Sequence, residues 1–375
     1  MDFSFNEEQE DLKGLVEKIL AGELTPERLK EAEAGEDNFD RVLWKQLAEA
    51  GVLGIAVPEA QGGGGYGFLE AALVLEQVGK TVAPVPYYAS VVLGALPIAR
   101  FGTDAQKNAL LPGVASGESI LTAALTEDGA DPLKPTTTAK RDGDSWVLDG
   151  VKECVAAGPL ADQVLVPAST DDGGVIVAIV AANAKGVKRE RQDTTSHHPE
   201  ARFTLAGVKV ADADVLGSAG QGSEILAWLV ERATAALCAM TVGVCEEALR
   251  MTAEYTKTRE QFGRAIATFQ AVGQRAADAY IDTEAIRLTA WQAIWRLSEE
   301  LPATAEVSVA KFWAAEGGQR VVHAAQHLHG GMGVDRDYPL HRYFLWAKVL
   351  ELTLGGTTPQ LLRLGKILAD EPVAV

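Results

Sequence analysis

The chain has 375 residues, beyond the roughly 250–300 residues at which one hydrophobic core stops growing, so two or three lobes are expected. Its composition, 47% hydrophobic and 23% charged, is that of a folded globular protein and excludes a disordered scaffold. A net charge of −18 disfavours nucleic acid and anionic membrane surfaces as partners, since both are repelled unless a local basic patch intervenes.

The opening MDFSFNEEQEDLKGL has neither a basic n-region nor an apolar h-region, and no run approaches eighteen uninterrupted apolar residues. A cytoplasmic location is expected. From Glu7 to about Gly117, apolar residues recur at three- and four-residue spacing in LKGLVEKIL, VLWKQLAEAGVLGI and FLEAALVLEQVG, which predicts a helical lobe. Between about Ile120 and Val215 the texture changes to short runs, among them DQVLVPA, GVIVAIV and ARFTLAGVKV, separated by Gly, Asp and Pro clusters. This predicts a small β-lobe. Helical patterns return after Gly222, over 224–256, 266–299 and 303–329, with a last helix from about Pro359 to Leu368. The fold class is therefore α+β: an N-terminal α-helical domain at 1–118, a middle β-domain at 119–218 and a helical bundle at 219–375. A parallel βαβ sheet is not expected.

The loop QGGGGYG spaces Gly62, Gly64 and Gly67 as GxGxxG. A dinucleotide fingerprint also needs a βαβ unit and an acid about twenty residues on, whereas this chain continues as helix. A flexible interlobe loop is the expected reading. The three cysteines, Cys154, Cys238 and Cys245, form no CxxC and are expected to be small buried apolar residues. His327 and His329 stand two apart, which is not the spacing of a helical zinc pair, so no metal is expected. His197 and His198 fall in a polar loop and are expected at the surface.

Helix 224–256 is apolar or small nearly all round from Ile225 to Val244, which marks it as buried, yet it carries Glu231 and Arg232. Desolvating an isolated carboxylate costs several kcal/mol, so the pair is either a structural salt bridge or a buried carboxylate suited to abstract a weakly acidic proton. Both readings stay open on these residues alone. In YTKTREQFGRAIATFQ, Arg259 supplies bidentate donors for a pyrophosphate and Phe262 a stacking face, beside a helix break at Gly263. The stretch HAAQHLHGGMG ends a helix in paired glycines, Gly330 and Gly331, which suit close backbone approach to a ligand or simply a turn.

Taken in order, LWKQLAEAGVLGIAVPEAQGGGGYGFLEAALVLEQVGK, LLPGVASGESILTAALTEDGA, YTKTREQFGRAIATFQAVGQRAADAYID and HLHGGMGVDRDYPLHRYFLWAK resemble the acyl-CoA dehydrogenase family over almost the whole chain. The resemblance implies an N-terminal helical domain, a middle β-domain and a C-terminal four-helix bundle. It implies FAD as cofactor, an acyl-CoA as substrate and an electron-transfer flavoprotein as acceptor. By it, Arg259, Gln261, Phe262, Ile266, Phe269, Gln270, His327, Leu328 and Gly331 hold the ADP half of FAD across a subunit interface, while Thr126 and Thr357 belong to the cofactor site. His327 stands where the family usually has Gln.

Other positions depart from the family pattern. TEDGADPL replaces TEPGAGSD, and KECVAAG puts Cys154 and Ala156 where a Trp and a Thr usually wall the flavin. Gly355, in LGGTTPQ, stands where the catalytic Glu commonly precedes Gly-Thr. A subset of the family carries its base before an Arg on the first bundle helix, and Glu231 before Arg232 matches that arrangement, with Arg232 orienting the base. The implied reaction is α,β-dehydrogenation of a fatty or steroid-derived acyl-CoA. The pattern also resembles actinobacterial dehydrogenases built as α2β2 heterotetramers, so the implied assembly is a homo-oligomer or such a heteromer. The alternative is a non-catalytic subunit that completes a partner's FAD site.

Overall fold

The computed structural model describes residues 4–218 and 220–370. Helix α1, Glu7–Glu23, starts from a capping box in which Asn6 Oδ1 accepts from Gln9 N at 2.9 Å and Gln9 Oε1 accepts from Asn6 N at 3.1 Å. Helix α2, Pro26–Ala34, opens on proline, whose missing N–H is no loss in a first turn. Helix α3, Arg41–Glu49, is capped by Asp40, which accepts from Leu43 N at 2.8 Å. Helix α4, Phe68–Thr81, is followed by a buried π-helical stretch, Tyr88–Ala95, that runs directly into α5, Leu96–Phe101. Helix α6, Asp104–Ala115, begins at a second capping box, Thr103 with Gln106. The Gln106 amide also donates to the carbonyls of Ala213 (2.8 Å) and Val215 (3.1 Å), so one side chain both starts a helix and ties it to the β-region.

The strands follow: β1 Leu121–Ala123, β2 Thr138–Asp142, β3 Ser145–Ala156, β4 Gln163–Thr170, β5 Val175–Ala181, β6 Val187–Gln192 and β7 Glu200–Ala211. They form one seven-stranded sheet in the order β1-β4-β2-β3-β7-β6, with β5 added on β4. Two pairings, β1 with β4 and β2 with β4, are parallel. No helix lies between the paired strands, so the sheet contains no βαβ crossover. Leu148, Val164, Val166, Phe203, Leu205 and Val208 fill its core. At Gly150, beside a register shift in β3, an added Cβ would lie 2.5 Å from Thr137 Oγ1, so only glycine lets the two segments touch.

Helix α7, Gly222–Thr258, leads to a short hairpin of β8, Glu260–Gln261, and β9, Arg264–Ala265. Then come α8 Gln270–Ser298, α9 Thr304–His329, α10 Leu340–Leu352 and α11 Thr357–Asp370. The sequence reading differs here in two places. It ran a helix from 266, but Ile266–Thr268 is a 3₁₀ turn and α8 begins at Gln270. It also passed over α10, whose HRYFLWAKVL scatters bulky residues round the whole helix and leaves no polar face to read.

By contacts the chain forms two compact units that cut across this sequential order. One gathers the chain up to Pro26, Ala72–Ala83 and everything from Thr234 on, and the other Glu27–Ala71 with Pro84–Ala233. In the first, α4 and α7 cross where neither has a side chain: a Cβ on Gly79 would lie 2.1 Å from Met240 O, and one on Gly243 2.0 Å from Glu76 O. Around this crossing Glu76, only 2% exposed, accepts from Trp291 Nε1 at 3.0 Å, and Arg287 pairs with Glu246 at 2.8 Å. Among the described residues α7 alone is long and apolar enough to cross a membrane, but 83% of that window is buried inside the fold, as in a core helix.

Candidate functional site

The hairpin after α7 places several sequence-predicted residues side by side. Phe262 and Gly263 form its turn with φ of +55° and +76°. Two successive positive φ angles match the twist of a two-residue hairpin, and the second position has the usual glycine. The first has a phenylalanine, which pays a steric cost there. Its ring is 94% exposed, leaning edge-on toward Phe269 at 6.1 Å, while the Arg264 guanidinium lies 4.2 Å over the Phe269 ring. A large apolar ring held out on a disfavoured backbone is a contact surface awaiting an occupant. Arg259 and Gln261 are exposed beside it, Ile266 is half-buried, and Gln270 is exposed at the start of α8. Ile266 N donates to Arg259 O at 2.9 Å, which closes the base of the hairpin.

Because α8 and α9 are joined by a short connection, they run antiparallel and bring the first turns of one beside the last turns of the other. His327 and Leu328, from the end of α9, line an open depression with Val272, Arg275 and Asp278 of α8. Gly331 is exposed in the 3₁₀ turn that follows, Gly330–Val334. That turn is anchored by a residue absent from the predicted site. His329 is 3% exposed and donates from Nδ1 to Ala325 O (2.8 Å), while its Nε2 lies 3.1 Å from Tyr338 Oη and its ring stacks on Tyr255 at 4.3 Å. Burial pushes the His329 imidazole below its usual range, which fits a neutral ring with one donor and one acceptor nitrogen.

Glu231 is half-buried and Arg232 is 6% exposed. The Arg232 guanidinium lies 3.9 Å over the Trp228 ring, one turn earlier, and its Nη1 is 3.5 Å from Trp228 O. This cation–π seat accounts for a cation on an apolar helix. It also corrects the picture of Arg232 as a side chain whose main contact is its neighbour Glu231. Successive helical residues point about 100° apart and do not face each other.

The segment read as a flavin wall holds a different feature. Glu127, 7% exposed, accepts from Lys152 Nζ (2.6 Å), Thr137 Oγ1 (2.6 Å), Thr137 N (3.0 Å), Thr136 Oγ1 (2.5 Å) and Thr136 N. Burial alone would raise its pKa, but Lys152 and the two threonines outweigh that and hold it at about 2. Burial pulls Lys152 below its usual range, with Glu127 opposing. Lys152 Nζ also donates to Pro167 O at 2.8 Å. The sequence reading missed this cluster, although Lys152 stands four residues after inward-facing Leu148 on the same strand, an inward phase for a charged side chain.

Thr126 is half-buried and its carbonyl accepts from Glu153 N at 2.9 Å. Cys154 was expected to be buried with the other two cysteines, but it is exposed, at a bulge of β3 with φ +48°, because the register shift between Lys152 and Val155 turns it outward. Cys238 and Cys245 are buried. His198 also departs from expectation: it is half-buried, with Nδ1 2.8 Å from Ser196 Oγ. The QGGGGYG loop is not loose. Gly64 N, Gly65 N and Tyr66 N donate to the carbonyls of Gly54 (2.9 Å), Val57 (2.9 Å) and Ile55 (3.0 Å). Between α10 and α11, Leu354 and Gly355 adopt φ of +57° and +91°, and a Cβ on Gly355 would lie 3.1 Å from Pro359 Cβ. Thr357 opens α11, its hydroxyl 3.3 Å from Glu316 Oε2.

Comparison with known proteins fits this geometry. Three family models match in succession: the acyl-CoA dehydrogenase N-terminal domain over residues 6–118, the middle domain over 122–208 and the C-terminal domain over 220–368. Acyl-CoA dehydrogenase FadE27 of Mycobacterium tuberculosis is 45% identical, over 99% of this chain and 100% of that protein. The crystal structure of the ChsE4-ChsE5 complex from the same organism contains a chain 45% identical with a TM-score of 0.94, covering 100% of both chains. A variant of the steroid dehydrogenase Tcur3481-Tcur3483 matches at 44% identity and TM-score 0.92, over 98% of this chain and 99% of that one. The succession of helical, sheet and helical parts, matched along nearly its whole length, places the chain in the acyl-CoA dehydrogenase family of FAD-dependent oxidoreductases.

Proposed function

We propose that this chain is one subunit of a heteromeric acyl-CoA dehydrogenase that dehydrogenates a steroid-derived or fatty acyl-CoA between Cα and Cβ and works together with a second acyl-CoA dehydrogenase chain. The observation that carries this reading is Phe262, 94% exposed on a positive-φ turn beside exposed Arg259 and Gln261. Such a surface offers half of a nucleotide site and leaves the other half to a neighbour. The two relatives described as a ChsE4-ChsE5 complex and as a Tcur3481-Tcur3483 steroid dehydrogenase support both the heteromer and the steroid substrate class. The acceptor in this reading is an electron-transfer flavoprotein, and the compartment is the cytoplasm. The three successive parts act as domains at 1–118, 119–218 and 219–375.

Bound FAD supplies the acceptor for the β-hydride. The chain's own residues bind and orient it: Arg259, Gln261, Phe262, Ile266, Phe269, Gln270, His327, Leu328 and Gly331 take the ADP half, with Thr126 and Thr357 on the side of the ring. Glu231 takes the α-proton, and Arg232, seated on Trp228, stiffens the helical turn that carries it. Glu231→Gln is nearly isosteric but cannot accept a proton, so it should lower acyl-CoA-dependent flavin bleaching by roughly 10²–10⁴-fold while FAD content is unchanged.

A second reading is favoured by Cys154 turned out to solvent and by Gly355 on a glycine-only backbone. In it the chain is non-catalytic and completes the FAD site of its partner. Full bleaching by a Glu231→Gln assembly would establish this second reading. A yellow, active chain purified without any partner would refute both.

A further inference from the structure

The depression at the end of α9 contains a pair that the site assignment leaves unexplained. Arg275 Nη1 lies 2.8 Å from His327 Nδ1. A guanidinium is always protonated and can only donate, so Nδ1 must accept. The ring is then neutral, and its one proton is on Nε2. A protonated ring would have an N–H pointing at the cation. The position of Arg275 has its own cause: the last turn of α9 exposes carbonyls at the negative end of the helix dipole, where a cation is favoured.

We propose that Arg275 is a positioning residue that locks His327 as its Nε2–H tautomer, so that this rim of the depression presents hydrogen-bond donors to the acceptor atoms of a bound nucleotide. An unrestrained imidazole exchanges between two tautomers, and one of them turns a lone pair toward the ligand. A glutamine at this position needs no such lock, because its amide supplies a donor and chooses its orientation. The substitution to histidine therefore creates a requirement, and Arg275 meets it. Asp278, one turn further along α8, lines the same depression and supplies a nearby counter-charge to the guanidinium. The nucleotide part of this inference rests on the FAD reading of His327 above, whereas the tautomer lock concerns this chain alone.

The two parts are tested separately. Imidazole ¹⁵N–¹H correlation spectra of the ¹⁵N-histidine-labelled full chain, purified with its partner subunit and stripped of FAD, report the tautomer directly, and His327→Gln assigns the resonance. The lock predicts a pure Nε2–H pattern in the wild type, a mixture in Arg275→Ala and recovery in Arg275→Lys. An Nδ1–H ring, or an unchanged pattern in Arg275→Ala, overturns it. Both residues are exposed, so these variants fold. In FAD titrations of the same assemblies, Arg275→Ala should weaken binding by about tenfold, the loss of one hydrogen bond to a charged or strongly polar acceptor. The same substitution in a His327→Gln background should change affinity less than twofold. Equal losses in both backgrounds would show that Arg275 acts without His327 and would overturn the positioning role. If His327→Ala binds FAD as tightly as wild type while the tautomer result holds, the nucleotide assignment of His327 fails and the lock stands.

Discussion

Lys152 Nζ lies 2.6 Å from Glu127 Oε1, and the two side chains are 1% and 4% exposed. This is a buried ion pair whose remaining carboxylate lone pairs are taken by two threonines. Removing one partner should cost far more than removing both. Glu127→Gln leaves an uncompensated buried ammonium and is expected to lose about 3–5 kcal/mol in denaturant unfolding, whereas Glu127→Gln combined with Lys152→Met should recover most of that loss. The pH dependence has a definite sign. The folded pKa of Glu127, about 2, is below its model value of 4.5. Its contribution is therefore complete above about pH 4.5 and is lost as pH falls toward 2. Acid titration of the wild type should show this loss, and the double variant should show less of it.

Phe262 sits at φ +55°, where glycine is favoured. Phe262→Gly should raise the thermal stability of the chain itself by about 1 kcal/mol, since the strain is removed and little burial is lost. The same variant should weaken association and FAD retention, as read by sedimentation velocity and flavin absorbance. A variant less stable than wild type with unchanged assembly would refute the reading of the exposed ring as a contact surface.

Arg259 is exposed at the base of the hairpin. Arg259→Lys keeps the charge but cannot reproduce a planar bidentate fork. FAD affinity should fall by about tenfold or more with no change in unfolding midpoint, measured by titration of the stripped assembly.

A Cβ at Gly243 would lie 2.0 Å from Glu76 O and 2.5 Å from Lys80 N. Both opposing atoms are main chain, so the helices must part. Gly243→Ala should cost about 3 kcal/mol or more, although alanine is the better helix former by roughly 1 kcal/mol. Circular dichroism melts of Gly243→Ala and of Gly273→Ala, where no atom lies within 4 Å, should move in opposite directions.

The helical and sheet parts were legible in the sequence because their signals are periodic. α7 reads as buried from Ile225 to Val244 and is buried, and the short runs from Ile120 to Val215 form the sheet. α10 was not legible, because its packing surrounds it and erases any stripe. The exposed hairpin was found through its motif, but the strain at Phe262 is a property of φ and leaves no trace in residue order. The Glu127–Lys152 pair joins residues 25 apart by a register set in the folded sheet. The seat of Arg232 on Trp228 is an i, i+4 relation that could have been read on the helix, but the neighbouring Glu231 drew the attention.

The left-handed turn at Leu354 and Gly355 bears on ancestry. By family resemblance the position of Gly355 commonly carries the reacting carboxylate. Here the backbone has settled at φ +91°, with Pro359 filling the space a side chain would need. Glutamate could not simply be put back, because the turn would have to be rebuilt along with it. A duplicated gene that has passed this point has no single-step return to self-sufficiency. Selection then keeps it only through what it contributes to another chain, so loss of either gene should cost the cell as much as loss of both.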